Sequence, residues 1–131
     1  MTEEQILGSA GGDARKPVDF TYEVALINRR IAARLKSEEP PAMPQGEAWI
    51  VAPEELQSKA AIIEYMTASS NELLEAAKAL PESDAAKMIG APGKEEPAYT
   101  FVSFATMHTM YHDAQLNFIQ SLAGDLKVHW G

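Results

Sequence analysis

A chain of 131 residues has room for one domain, and 46% apolar against 23% charged residues is an ordinary globular mixture that argues against whole-chain disorder. The balance of 11 Lys+Arg against 19 Asp+Glu gives a net charge of −8, so non-specific nucleic-acid binding, which needs clustered cations, is not expected. The absence of cysteine excludes disulfide staples, thiolate metal ligands and a cysteine nucleophile together.

The boundaries of the helices are punctuated by proline and glycine. Thr2 followed by Gln5 has the form of a capping box, which predicts a short first helix from about Thr2 to Ala10, ended by Gly11-Gly12. Pro17 and Asp19 open a second helix, whose apolar stripe is Phe20, Val24, Ile27, Ile31 and Leu35. Arg29, Arg30, Arg34 and Lys36 gather near its C-terminal end, where cations suit the helix dipole, and Pro40-Pro41 stops the run. A connector from Glu39 to Ala52 carries Trp49-Ile50-Val51, read as an apolar anchor over one end of the core or as a lid or dimer contact; Ala48 to Val51 is the one β-like run.

Pro53-Glu54-Glu55 predicts the start of a third helix with Leu56, Ala60, Ile63, Ser70, Leu74 and Ala77 on one face, Met66 beside it and Pro81 at its end. Ser83 to Gly90 is read as a short helix and Ala91 to Pro97 as a loop. The fourth long helix runs from near Thr100 to Gly124 with Asp113 as its single formal charge, so it is expected to be the most buried. Thr100, Ser103, His108, His112, Gln115, Asn117 and Gln120 interrupt it, so it is not a membrane span and no membrane partner is expected. The acidic N-terminus has no apolar core of signal-peptide length, and the cytoplasm is the default compartment. The fold class is all-α, with a four-helix bundle as the architecture and the whole of 1–131 as one domain.

The fourth helix carries the chemistry. Phe101, Ala105, His108, His112, Gln115, Ile119 and Leu122 follow spacings of 4, 3, 4, 3, 4 and 3, which is one helical face. Two histidines and a glutamine therefore point inward, and polar groups buried without partners cost roughly 1–3 kcal/mol each. His108 and His112 lie one turn apart, a spacing that lets both imidazoles reach one cation or hydrogen-bond inside a core. Glu23 borders the stripe of the second helix; it either pairs with an arginine or solvent, or joins a metal site. Gln115 orients a bound water or a histidine, or is a core amide. Tyr111 and Asp113 flank this face, with Asp113 expected to be solvated. His129 beside Trp130 is not expected to be a ligand, and Met66, Met107 and Met110 are core or interface filler.

Tyr111-His112-Asp113-Ala114-Gln115-Leu116, with His108 before it and Ile119 to Asp125 after it, resembles the last helix of the DinB-like superfamily. Asp19-Phe20-Thr21-Tyr22-Glu23-Val24-Ala25-Leu26-Ile27-Asn28-Arg29-Arg30 resembles its second helix, and the resemblance runs over roughly residues 17 to 127. It implies an up-down-down-up four-helix bundle and a metal held by one histidine of the second helix and two of the last, the first of which falls at Glu23. A set of Glu23, His108 and His112 is a two-histidine, one-carboxylate arrangement suited to Zn²⁺, Ni²⁺, Mn²⁺ or Fe²⁺. The other reading of Glu23 is a lost site, with the carboxylate accepting from a protonated histidine whose pKa it raises. The resemblance also implies a metal-dependent hydrolase or thiol-dependent transferase acting on a small molecule; the competing reading is a metal-free bundle that binds a small ligand or serves as an interaction module. The short first helix leaves one wall of the bundle low, and a homodimer is expected to cover it.

Overall fold

The structure is a computed structural model that describes residues 1–46 and 49–127. Four α-helices carry it: α1 (Glu3–Leu7), α2 (Pro17–Leu35), α3 (Lys59–Ala79) and α4 (Ala98–Leu122). His129, Trp130 and Ala48 lie outside the described residues.

Thr2 and Gln5 form the expected capping box: Gln5 N–H donates to Thr2 Oγ1 and Thr2 N–H to Gln5 Oε1. The helix ends at Leu7 rather than Ala10, because Gly8 already bonds back to Glu4 and leaves in extended conformation. Helix α2 starts at Pro17, where a missing N–H costs nothing. It is the central rod. One side, with Val18 and Tyr22, packs towards α1 and α3; the other, with Phe20, Ile27 and Ile31, faces α4. Ala25, Ala32 and Ala33 are small enough to let neighbours approach closely, which is how a helix becomes buried on more than one side.

Helix α3 begins later than Pro53 predicts. Glu54–Leu56 form one 3₁₀ turn, and the helix is capped by Ser58, whose Oγ accepts from Ala61 N–H at 3.1 Å. Its buried positions are Ile62, Ser69 and Ala76, not the expected Ala60, Ile63 and Leu74, which are exposed. The stripe is rotated by one residue. Ile62 and Ile63 are adjacent in an alanine-rich helix, so two registers read almost equally well, and packing against Val18 and Ala52 selects Ile62.

The expected helix over Ser83 to Gly90 is a 3₁₀ turn, Glu82–Asp84, followed by two short antiparallel strands, β1 (Met88–Ile89) and β2 (Glu96–Pro97). Gly90 permits the turn between them: its φ is 136°, and a Cβ there would meet Lys94 O at 2.6 Å. The hairpin supplies the cap that Pro97 cannot. Ala98 N–H donates to Lys87 O and Tyr99 N–H to Ala85 O, satisfying the first donors of α4.

Two further expectations are corrected. Helix α4 is not the most buried; only Ala98, Ala105 and His112 are fully buried, and Met107, Met110, Tyr111, Phe118 and Leu122 are each 61–63% exposed. It packs on α2 but has no comparable seam with α3, and α1, only five residues long, leaves its outer side uncovered. Trp49 is no core anchor either: it is 70% exposed and Val51 also faces solvent. The connector is instead fixed by polar bonds, with Ala52 N–H donating to Asp19 Oδ1 at 2.9 Å. No described helix is long and apolar enough to cross a membrane.

Candidate metal centre

The site lies between α2 and α4. The i, i+4 spacing sets His108 and His112 one turn apart, and both Nε2 atoms turn towards the same point, 3.2 Å from each other. Glu23, from the facing side of α2, brings Oε1 to 3.5 Å from His108 Nε2. One donor atom from each of the three lies within 4.8 Å of the others. The imidazole planes are held by aromatic contacts: Phe20 stacks on His112 at 5.2 Å between centroids, Phe104 stacks on His108 at 5.6 Å, and Tyr111 meets His112 edge-on. Glu23 and His108 keep 21% and 14% of their side-chain surface exposed, so the centre is shielded but reachable.

Gln115 stands as the helix register places it, with Oε1 2.7 Å from His112 Nδ1. A proton on Nδ1 donated to that oxygen leaves the lone pair on Nε2, directed at Glu23 and His108. Burial, the largest influence, lowers the pKa of His112; the bond to Gln115 pushes up, His108 lowers it, Glu23 raises it and Arg15 lowers it. The expected rise from a neighbouring carboxylate is therefore outweighed, and the neutral imidazole is favoured.

The site contains one residue that sequence reasoning missed. Arg15, in the turn before α2, donates from Nη2 to Glu23 Oε2 at 2.6 Å and to Ile50 O at 3.2 Å, and its guanidinium lies 4.9 Å from the Trp49 ring. It occupies one carboxylate oxygen and leaves Oε1 facing the histidines. The only sequence signal was that Glu23, bordering an apolar stripe, needs a counter-charge.

The donor set fits a divalent ion. Two nitrogens each bound to tetrahedral zinc at about 2.0–2.1 Å lie about 3.3–3.4 Å apart, close to the 3.2 Å found here. Against that fit, His108 Nδ1 is buried without a hydrogen-bond partner among the described residues, whereas a ligating imidazole ordinarily donates its far N–H to an acceptor, as His112 can to Gln115. Other expectations fall as follows. Asp113 is exposed and accepts from Asn117 Nδ2 at 3.1 Å; Met107 and Met110 are exposed, not core filler.

The sequence profile of the DinB superfamily matches residues 24–116, most of the chain. The chain belongs to the DinB superfamily. The matched segment takes in α3, His108, His112 and Gln115, and stops one residue short of Glu23, so the carboxylate and Arg15 lie outside it. No curated protein and no solved structure matches the chain.

Proposed function

We propose that this DinB-superfamily chain binds a divalent metal ion through Glu23, His108 and His112 and uses it in hydrolysis, or in thiol-dependent transfer, on a small molecule. The observation that carries the reading is the facing pair of Nε2 atoms 3.2 Å apart with Glu23 Oε1 beside them. Two imidazoles and a carboxylate suit Zn²⁺, Ni²⁺, Mn²⁺ or Fe²⁺. Such an ion supplies a Lewis acid and lowers the pKa of a bound water or external thiol. Gln115 holds His112 in the Nδ1-protonated tautomer, and Arg15 orients Glu23 through its other oxygen. Both are positioning residues.

The test is metal content and thermal shift of protein purified without chelator or histidine tag. Zinc at a hundredfold excess over Kd adds about 2.7 kcal/mol to the folded state, and His108→Ala abolishes the rise in Tm. No stoichiometric metal together with no thermal shift overturns the reading. That outcome favours the metal-free bundle, for which the Arg15–Glu23 ion pair speaks, since it already neutralises the carboxylate.

We also propose that a second copy of this chain covers the outer side of α4. Met107, Tyr111, Phe118 and Leu122 follow spacings of 4, 7 and 4 along a helix about 37 Å long, and Asp113 is the helix's single formal charge. In a chain of net charge −8 this is where two copies approach with least repulsion. Sedimentation at micromolar concentration is expected to give a dimer that Met107→Glu/Phe118→Glu dissociates. A 14.3 kDa species for the unsubstituted chain overturns it.

A further inference from the structure

A second recognition feature lies one helical turn from the candidate centre, in the same seam. A cavity of about 330 Å³ opens between α2 and α4, at the small end of ligand-sized pockets. Its walls are Ile27, Ile31, Phe101 and Phe104, and Arg30 and Arg34 stand along it. These two arginines are four apart on one helix face, a like-charge pair that destabilises the helix unless something answers it. Among the described residues neither has a carboxylate within 4.0 Å, although the chain carries 19 acids to 11 bases. Arg29, one position away, does: it pairs with Glu72 at 3.1 Å and lies over Tyr65.

The arginines of the groove are held in place. The guanidinium of Arg34 lies 5.2 Å from the Phe101 ring, and Arg30 donates from Nη1 to Pro41 O. Burial first, and Arg34 second, pull the pKa of Arg30 down, while Glu39 pushes it up. The remaining charged lining residue is Glu96, exposed at the mouth. Lining the groove itself are two guanidiniums and one carboxylate, and Glu39 offsets part of the charge of Arg30 from beyond the lining, so the cationic excess over the apolar surface is small. That balance selects a monoanion with an apolar body, and disfavours phosphate dianions and neutral lipids alike.

We propose that this groove binds an amphiphilic carboxylate, its headgroup bridging Arg30 and Arg34 and its apolar body lying on Ile27, Ile31, Phe101 and Phe104. The body runs towards the centre, because Ile27 stands one turn from Glu23 and Phe104 stacks on His108. The groove thereby becomes a substrate subsite of that centre; this last step alone rests on the metal reading.

Calorimetric titration of the full, chelator-treated chain tests the groove without the metal. Octanoate is expected to bind at least tenfold more tightly than 1-octanol or octyltrimethylammonium. Arg34→Gln lowers octanoate affinity at least tenfold, and Glu96→Gln raises it. Equal affinity for octanoate and octanol overturns the proposal. So does an unchanged or weakened affinity in Glu96→Gln, an exposed site whose substitution leaves the fold alone. The subsite is tested separately by NMR with Mn²⁺ added: the terminal methyl of bound octanoate broadens more than its α-methylene. The reverse order overturns the orientation. Failure of Mn²⁺ to bind overturns the metal reading and the subsite with it, and leaves the calorimetry to decide the groove.

Discussion

The two seams along α2 are built differently. Against α3, it meets Tyr65 with Tyr22 and Glu72 with Arg29, and Ile62 and Ser69 opposite are buried almost completely. Against α4, it presents a carboxylate to two imidazoles, and both His108 Nδ1 and Asn28 Oδ1 stay buried without a partner among the described residues. The first seam pairs most of its side chains within the fold, although Arg29 Nε is buried without a partner among the described residues. The second leaves an imidazole nitrogen and an amide oxygen buried and unmatched among the described residues, groups that call for a water or a ligand. The larger share of the packing therefore lies between α2 and α3, and the candidate centre lies between α2 and α4.

The sharpest way to break this division is to truncate both seams. Ile62, 1% exposed, sits in the cluster with Ile6, Val18 and Ala52. Ile62→Ala is expected to cost about 2–5 kcal/mol in denaturant unfolding of the metal-free chain. Phe104→Ala, at a side chain 45% exposed on the cavity wall, is expected to cost less than half as much. Equal losses would mean that the α4 seam is as much a part of the core as the other.

Smaller effects separate the residues that orient the centre from those that hold up the fold. Gln115→Ala removes the acceptor at His112 Nδ1, and metal affinity is expected to fall about 10–100-fold, roughly 1.4–2.7 kcal/mol, with little change in the unfolding of the metal-free chain. Gln115→Glu keeps an acceptor oxygen and is expected to lose less. A large loss of metal-free stability in Gln115→Ala would make the glutamine a structural amide instead.

The same ring gives the seam a pH dependence. Burial holds the pKa of His112 below that of the unfolded chain, where imidazole titrates near about 6.5. The unfolded state therefore binds the proton more tightly. The metal-free chain is expected to lose stability as pH falls from about 6.5 towards the lower folded-state pKa, and to show no such term above it. Denaturant titrations from pH 8 to 5 check this: His112→Gln should flatten the slope relative to the unsubstituted chain.

Much of this was legible in the residues, for reasons that differ from place to place. Pro17 and the stripe after it mark α2 because proline fits only the first turn. His108, His112 and Gln115 declared a shared face through spacing alone, and Glu23 through its position beside an apolar stripe. Arg15 was hidden because it sits eight residues from its partner, in a turn whose path no periodicity describes. The burial of α4 was misread because an apolar composition says that a surface prefers cover, not whether the same chain supplies it. The register of α3 was misread because adjacent isoleucines support two stripes one residue apart.

The smallest expected effect compares the ends of the two helices themselves. Both α2 and α4 finish in the same hydrogen-bond pattern: Glu38 N–H to Ala33 O with Ser37 N–H to Arg34 O, and Asp125 N–H to Gln120 O with Gly124 N–H to Ser121 O. The pattern requires a left-handed residue after the cap. In α4 that is Gly124, at φ 86°; in α2 it is Ser37, at φ 60°, the one non-glycine residue with positive φ among the described residues. A side chain there carries a steric cost that glycine avoids, partly offset by the greater freedom glycine loses on folding. Ser37→Gly is thus expected to raise stability by about 0.5–1 kcal/mol, read as a shift in denaturant midpoint at unchanged m-value. Since α2 belongs to both seams, the gain should appear equally with and without metal; a gain confined to the metal-bound chain would show that the end of α2 is coupled to the centre after all.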